Sequence, residues 1–227
     1  MKSAEAYVEE HLLKEILNGD LLPMTLLKPE RELAESLGVS RPVVHKAIIR
    51  LEARGLVTIV PRKGVWVNDY RVSAKLGILE SIYDLYHEGI NRELNLSMLA
   101  FIRETLEAII IQIIQGNASQ KQACYDRQSK NTYEDGTAVF IWIHGFAISC
   151  GNPIYPMLIN EFKRGIINVS DAVLFNGDAQ VFLKRLTDIN RLIIDNEVTR
   201  EGVRNALHAL FKYIERQWLI EKKEASL

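Results

Sequence analysis

The 227-residue sequence predicts a mainly α-helical chain in two parts: three helices and a β-hairpin over residues 1–69, then an all-α bundle of six or seven helices over residues 70–227. Three observations lead there. The N-terminal part passes from apolar residues at helical spacing into two short β-rich runs. From Arg71 onward only long helical periodicities follow. The length is generous for one hydrophobic core and comfortable for two.

Leu12, Leu13, Ile16 and Leu17 form the stripe of a first amphipathic helix that stops at Asn18-Gly19. Pro29-Glu30-Arg31 opens a second, because proline suits a first helical turn and an acid there opposes the positive end of the helix dipole. Leu33, Ala34 and Leu37 face inward, Gly38-Val39 makes a left-handed break, and Ser40 is placed to cap the third helix. That helix turns Val43, Val44, Ala47, Ile48 and Leu51 to the core and spreads Arg41, His45, Lys46 and Arg50 over its other faces. After Gly55, Leu56–Val60 and Val65–Val67 read as strands joined by Pro61-Arg62-Lys63-Gly64, a hairpin with two cations at its tip. This order is that of a winged helix-turn-helix, whose third helix enters the major groove of DNA. Beyond a boundary at Asn68–Ser73, helices are expected near 71–88, 92–115, 133–150, 154–170, 178–195 and 199–223. Gly89-Ile90-Asn91, Gly116-Asn117-Ala118-Ser119, Gly151-Asn152-Pro153 and Asn176-Gly177 have turn compositions between them.

Charge is distributed unevenly. The formal net charge is only -1, yet residues 1–39 hold four basic and eight acidic side chains, whereas residues 40–67 hold six basic side chains against Glu52 alone. Phosphate neutralisation by such a cationic block supplies most non-specific DNA affinity. Arg41, at the start of the third helix, is suited to guanine O6 and N7 through its planar fork, and Arg62 to the duplex from the wing. The competing explanation is a solvated helix face. No apolar run reaches the roughly 18 to 20 residues of a membrane span, and Met1–Glu10 has three glutamates and no apolar segment, so no membrane partner and a cytoplasmic protein are expected. Cys124 and Cys150 lack any partner spacing for a disulfide framework or zinc site and are read as packing or surface thiols.

Leu27-Lys-Pro-Glu-Arg-Glu-Leu-Ala, Gly38-Val-Ser-Arg and Leu51-Glu-Ala-Arg-Gly-Leu-Val resemble the GntR family of bacterial regulators. Gly77-Ile-Leu-Glu, Phe101-Ile-Arg-Glu-Thr-Leu-Glu and Phe146-Ala-Ile-Ser-Cys-Gly-Asn-Pro-Ile-Tyr are similar to its FadR-like branch. The resemblance implies that Arg31, Arg41 and the wing residues Arg62, Lys63 and Gly64 contact DNA and that Ser40 meets a phosphate, while Lys46, from the cationic block itself, is a further DNA-binding candidate. His45 departs from the pattern, standing where the family usually has arginine, so a guanine contact there is lost or made conditional on imidazole protonation; a histidine that merely faces the groove fits equally well.

In the helical part, Arg103 and Glu107 stand four apart on a strongly apolar segment. They read either as a surface pair or, by the resemblance, as a site where Arg103 meets an anionic effector. His144, Asn152, Tyr155, Asn168, Tyr213 and Trp218 are further candidates for lining an effector pocket. Many sensor domains of this family hold a metal through one aspartate and three histidines. Alignment on Gly151-Asn152 and Trp218 puts Val139, Ile143, Ile189 and Lys212 at those places, so no metal and no cofactor are expected. The resemblance then suggests a fatty acyl-CoA as effector, with a small carboxylate or a metal-bound effector as alternatives. The expected partners are a double-stranded operator, the effector and a second copy of the chain, since a two-fold operator needs paired reading heads. The sequence has no Gly-rich phosphate loop, nucleophile elbow or His-Glu metal motif, which argues against an enzyme; a protein-interaction module would not need the cationic block.

Overall fold

The computed structural model describes residues 3–79, 82 and 92–224. The chain divides into two compact units, Met1–Arg92 and Glu93–Leu227. In the first, α1 (Ala4–Asn18), α2 (Glu30–Leu37) and α3 (Arg41–Ala53) precede strands β1 (Val57–Val60) and β2 (Gly64–Val67). Gly19 and Gly38 end α1 and α2 in the left-handed conformation, at φ 82° and 66°, which a glycine adopts without a Cβ penalty. Ser40 occupies the position before α3 in extended geometry, but its hydroxyl makes no capping hydrogen bond, contrary to expectation. The Ser40 carbonyl serves the first turn instead, accepting from Val43 N–H at 3.0 Å and Val44 N–H at 3.3 Å.

Packing in this unit centres on α3, which lies against α1, α2 and β1. Val8, Leu12, Leu13 and Ile16 of α1 meet the buried stripe Val44, Ala47, Ile48 and Leu51. The strands pair antiparallel with Val57 opposite Val67 and Val60 opposite Gly64. Residues 24–27 add a further edge: Leu27 N–H donates to the Val65 carbonyl at 2.8 Å and Val67 N–H to the Thr25 carbonyl at 2.9 Å. At the wing tip Arg62 itself takes a left-handed φ of 65°, a conformation uncommon outside glycine.

The helix expected over 71–88 begins as one turn, α4 (Tyr70–Ser73), followed by a 3-10 turn at Leu76–Ile78. Most of its remainder, with the Gly89-Ile90-Asn91 break, lies outside the described residues. In the second unit seven helices are described: α5 (Arg92–Ile114), α6 (Ala118–Gln128), α7 (Gly136–Ser149), α8 (Ile154–Asn160), α9 (Lys163–Asn176), α10 (Ala179–Leu192) and α11 (Arg200–Glu224). Two differ from expectation. The segment 154–170 is not one helix, because the chain turns at Glu161-Phe162, where Phe162 is buried and starts α9. Helix α6 shows no usable apolar stripe, burying only Cys124 and Gln128. Its readable signal was the start: Asn117 and Gln120 exchange side-chain-to-backbone hydrogen bonds as a capping box.

Helix α7 is the centre of the bundle, touching α6, α8 and α9, while α11 covers α9 and α10. A buried polar chain crosses it. Trp142 Nε1 donates to Asn190 Oδ1 at 2.7 Å, Asn190 Nδ2 donates to the Tyr133 hydroxyl at 2.7 Å, and Gln128 Nε2 donates to the Trp142 carbonyl at 2.8 Å. Burial raises the Tyr133 phenol above its ordinary pKa, opposed by the Asn190 bond. Among the described residues no helix is long and apolar enough to cross a membrane.

Two stability outcomes are expected. Gly55 has φ 79° and a Cβ there would collide with the Ser73 carbonyl, so Gly55→Ala should cost about 1–3 kcal/mol or more in urea unfolding of the first unit. Asn190→Ala strands the Trp142 indole N–H inside the bundle and should cost about 1–3 kcal/mol. An unchanged urea midpoint in either variant would contradict its account.

Candidate functional site

With Val44, Ala47, Ile48 and Leu51 turned to the core, helical geometry leaves Arg41, Pro42, His45, Lys46 and Ile49 on the outward face of α3, and all five are exposed. Ile49, 46% exposed, was overlooked in the sequence, although it stands four residues after His45 and eight after Arg41. Ser40 lies exposed at the same end of the helix. Arg31 projects from α2, its side chain 85% exposed and paired with the outward Glu35 at 3.0 Å. Arg62, Lys63 and Gly64 are exposed at the wing tip, and neither cation forms an ion pair among the described residues. Gly64 also has a local reason to be glycine, since at φ 110° a Cβ would press on Leu26 Cδ1 at 2.9 Å.

Carboxylates from α1 and α2 meet the cations of α3. Glu9, almost fully buried, receives Arg54 at 2.9 Å and Arg50 at 3.6 Å, and Glu5 receives Lys46 at 3.4 Å. Glu30 serves two residues: Arg41 Nε donates to Oε2 at 3.0 Å and His45 Nδ1 lies 2.7 Å from Oε1. Partial burial disfavours the Glu30 charge, but the hydrogen bonds from His45 and Arg41 outweigh it and hold the carboxyl below its ordinary pKa. By local sequence Glu30 is a first-turn acid of α2; in the fold that same acid fixes two of the outward side chains, Arg41 and His45.

In the bundle, Arg103 and Glu107 are not each other's partners. Arg103 Nη2 donates to Glu104 at 3.1 Å, and Glu107 receives Arg204 Nε of α11 at 3.0 Å. Both line an open groove of about 600 Å³ between α5 and α11, with Glu104, Ala108, Ile111, Arg204 and His208. Arg103 and His208 also border a second groove, of about 290 Å³, with Leu96, Leu99, Ala100, Phe211 and Lys212. The other candidates lie elsewhere. Tyr213 donates its hydroxyl to the Asp178 carbonyl at 2.9 Å, and Asn152 turns its Oδ1 to Ile154 N–H at 3.0 Å. Tyr155 on α8 and Asn168 on α9 are half-buried, and Trp218 is buried on α11. His144 stacks on Phe140 with its Nε2 buried and unbonded. Val139, Ile143 and Ile189 are buried core residues and Lys212 is exposed; among the described residues no three His, Cys, Asp or Glu side chains converge as a metal site.

The depressed pKa of Glu30 implies a sign. Such a carboxyl adds stability above its unfolded pKa and loses it as pH falls through the folded one. The urea midpoints of wild type and Glu30→Gln should therefore differ most near neutrality and converge below about pH 4. A gap that stays constant down to about pH 3 would contradict the pairing.

A sequence profile of bacterial regulatory proteins of the gntR family matches residues 5–67, the span from α1 through β2. A fatty acid metabolism regulator protein of Pectobacterium carotovorum subsp. carotovorum (strain PC1) is 28% identical over 184 residues, covering 79% of this chain and 76% of that one. Its counterpart in Enterobacter sp. (strain 638) is 30% identical over 167 residues, covering 71% and 69%. Among solved structures, Lar, described as controlling expression of the Listeria monocytogenes agr system, is similar in fold: TM-score 0.56 at 21% identity, covering 96% of this chain and 98% of that one. The helix order, the wing and these relatives agree, and the chain belongs to the gntR family of bacterial transcription regulators.

Proposed function

We propose that residues 1–69 bind a two-fold operator as one head of a homodimer, and that residues 70–227 sense a small anionic effector. The observation that carries the first half is the outward face of α3, where Arg41, His45 and Lys46 stand exposed. Arg41 would read guanine, Arg31, Ser40 and Lys46 would take phosphates or base edges, and Arg62, Lys63 and the Gly64 backbone would track the neighbouring backbone or groove.

For the effector we propose a long-chain fatty acyl-CoA, with a small carboxylate as the second reading because Arg103 suits either. The α5–α11 groove supports it: apolar Leu96, Leu99 and Phe211 adjoin Arg103 and His208. Among the described residues Arg103 pairs with Glu104, whose side chain is 65% exposed, and exposed ion pairs of this kind contribute little, so an anionic group displaces Glu104 at small cost. The named role of the Pectobacterium and Enterobacter relatives in fatty acid metabolism points the same way. A ligand of this kind acts on DNA binding only through different affinities for two dimer geometries.

The DNA half is tested by anisotropy titration on a selected operator. Arg41→Ala should weaken binding by about 1–3 kcal/mol and relax one base preference, whereas Lys63→Ala should weaken all sequences alike and reduce the salt slope by about one. Equal, weak binding of the wild type to every duplex would overturn the regulator reading. For the effector, calorimetry with acyl-CoA, free fatty acid and short organic acids should show heat for acyl-CoA that Arg103→Ala abolishes; heat with a short acid alone transfers the assignment to the second reading.

A further inference from the structure

The contact between His45 and Glu30 decides which ring nitrogen keeps its proton. An ionised carboxylate can only accept a hydrogen bond, so at 2.7 Å from Glu30 Oε1 the Nδ1 of His45 must carry the hydrogen. A neutral imidazole has a single N–H, which leaves Nε2 on the far side of the ring with a lone pair. The side chain is 54% exposed, and Nε2 makes no hydrogen bond among the described residues. An outward lone pair cannot bond guanine O6 or N7, which are themselves acceptors; it needs the amino group of cytosine N4 or adenine N6. A protonated ring keeps Nδ1–H on Glu30 and turns Nε2 from acceptor into donor, with no movement of the side chain required.

We propose that His45 is a specificity-determining residue with two readings: neutral, it selects a base presenting an amino donor, and protonated, it selects a base presenting acceptors, guanine with its adjacent O6 and N7 foremost, while Glu30 holds the ring in one orientation for both. The proposal rests on the reading that the outward face of α3 meets base edges. Arg41 supplies a built-in reference. It shares the Glu30 carboxylate through Nε at 3.0 Å, which leaves its two terminal nitrogens as a donor-only fork whose preference for guanine is independent of pH.

The other charges around His45 are already engaged. On α2, Arg31 and Glu35 pair with one another, while Glu30 is the group in contact. On α1, Glu5 is taken by Lys46 and Glu9 by Arg50 and Arg54. Strand β1, Val57-Thr58-Ile59-Val60, has no ionisable side chain. Glu30, held ionised by its two partners, therefore stays an acceptor across the range in which an imidazole titrates, roughly pH 5 to 8.

The test is selection of operator sequences from a randomised duplex pool by the full chain, at about pH 8 and about pH 5.5 and constant salt, for the wild type, His45→Arg and Glu30→Gln. The base pair read by residue 45 is the one at which wild type and His45→Arg differ at the higher pH. There the wild type should prefer cytosine or adenine by about fivefold or more at the higher pH and guanine at the lower, while His45→Arg selects guanine at both and the Arg41 position does not change. Glu30→Gln, whose amide can donate to Nδ1, should blur the preference at the higher pH. A wild-type preference identical at both pH values, or a His45→Arg profile identical to wild type at every position, overturns the proposal. Failure to enrich any sequence at either pH overturns the DNA-binding reading beneath it, an outcome distinct from the other two.

Discussion

Helix α3 must do two things that conflict electrostatically: bury an apolar stripe against α1 and α2, and present a row of cations to solvent. Glu5, Glu9 and Glu30 resolve the conflict. Each reaches the edge of α3 from a neighbouring helix, and Glu30 engages Arg41 through Nε, so the terminal nitrogens of Arg41 remain accessible. Glu9 is nearly buried, a costly place for a carboxylate unless it is paired, and Arg50 and Arg54 provide that pairing. The acidic first block of sequence and the basic second block are in this way two halves of one interface. At the wing tip Arg62 and Lys63 form no ion pair among the described residues, and no core there needs to be protected.

The second unit shows the opposite arrangement. Trp142, Asn190, Tyr133 and Gln128 commit their interior polar groups to one another, which fixes the packing of α6, α7 and α10. Groups with loose commitments lie along α5 and α11, where Arg103 is held by a solvent-facing glutamate and His208 borders both grooves. A ligand that must bind and leave gains most where the resident contacts are weak, and that contrast distinguishes the groove from the rest of the bundle.

Legibility in the sequence followed the range of the interactions involved. Gly19, Gly38 and Gly55 stop helices or open turns through their own backbone freedom, so the end of α1 and both ends of α2, α3 and the wing strands could be placed to within a residue or two. Helix α6 escaped notice because it buries so little that it has no stripe; only its capping box announced it. Segment 154–170 has a continuous apolar period, and nothing local reveals the break at Glu161-Phe162, which comes from burial of the Phe162 ring. Arg103 and Glu107 stand at i, i+4 spacing, yet each found a different partner once α11 was laid alongside α5.

By itself the sequence determined the order of elements, the cationic character of α3 and the wing, and which faces of the helices are apolar. All of these depend on residues within a few positions of one another, where backbone preference and periodicity act. The tertiary structure alone decided which carboxylate each cation meets, how the His45 ring is oriented and where the groove between α5 and α11 runs. Glu30 and His45 are fifteen positions apart and Glu107 and Arg204 ninety-seven, and charge pairs at such separations are set by how helices pack, a property of the assembled core that no local pattern encodes.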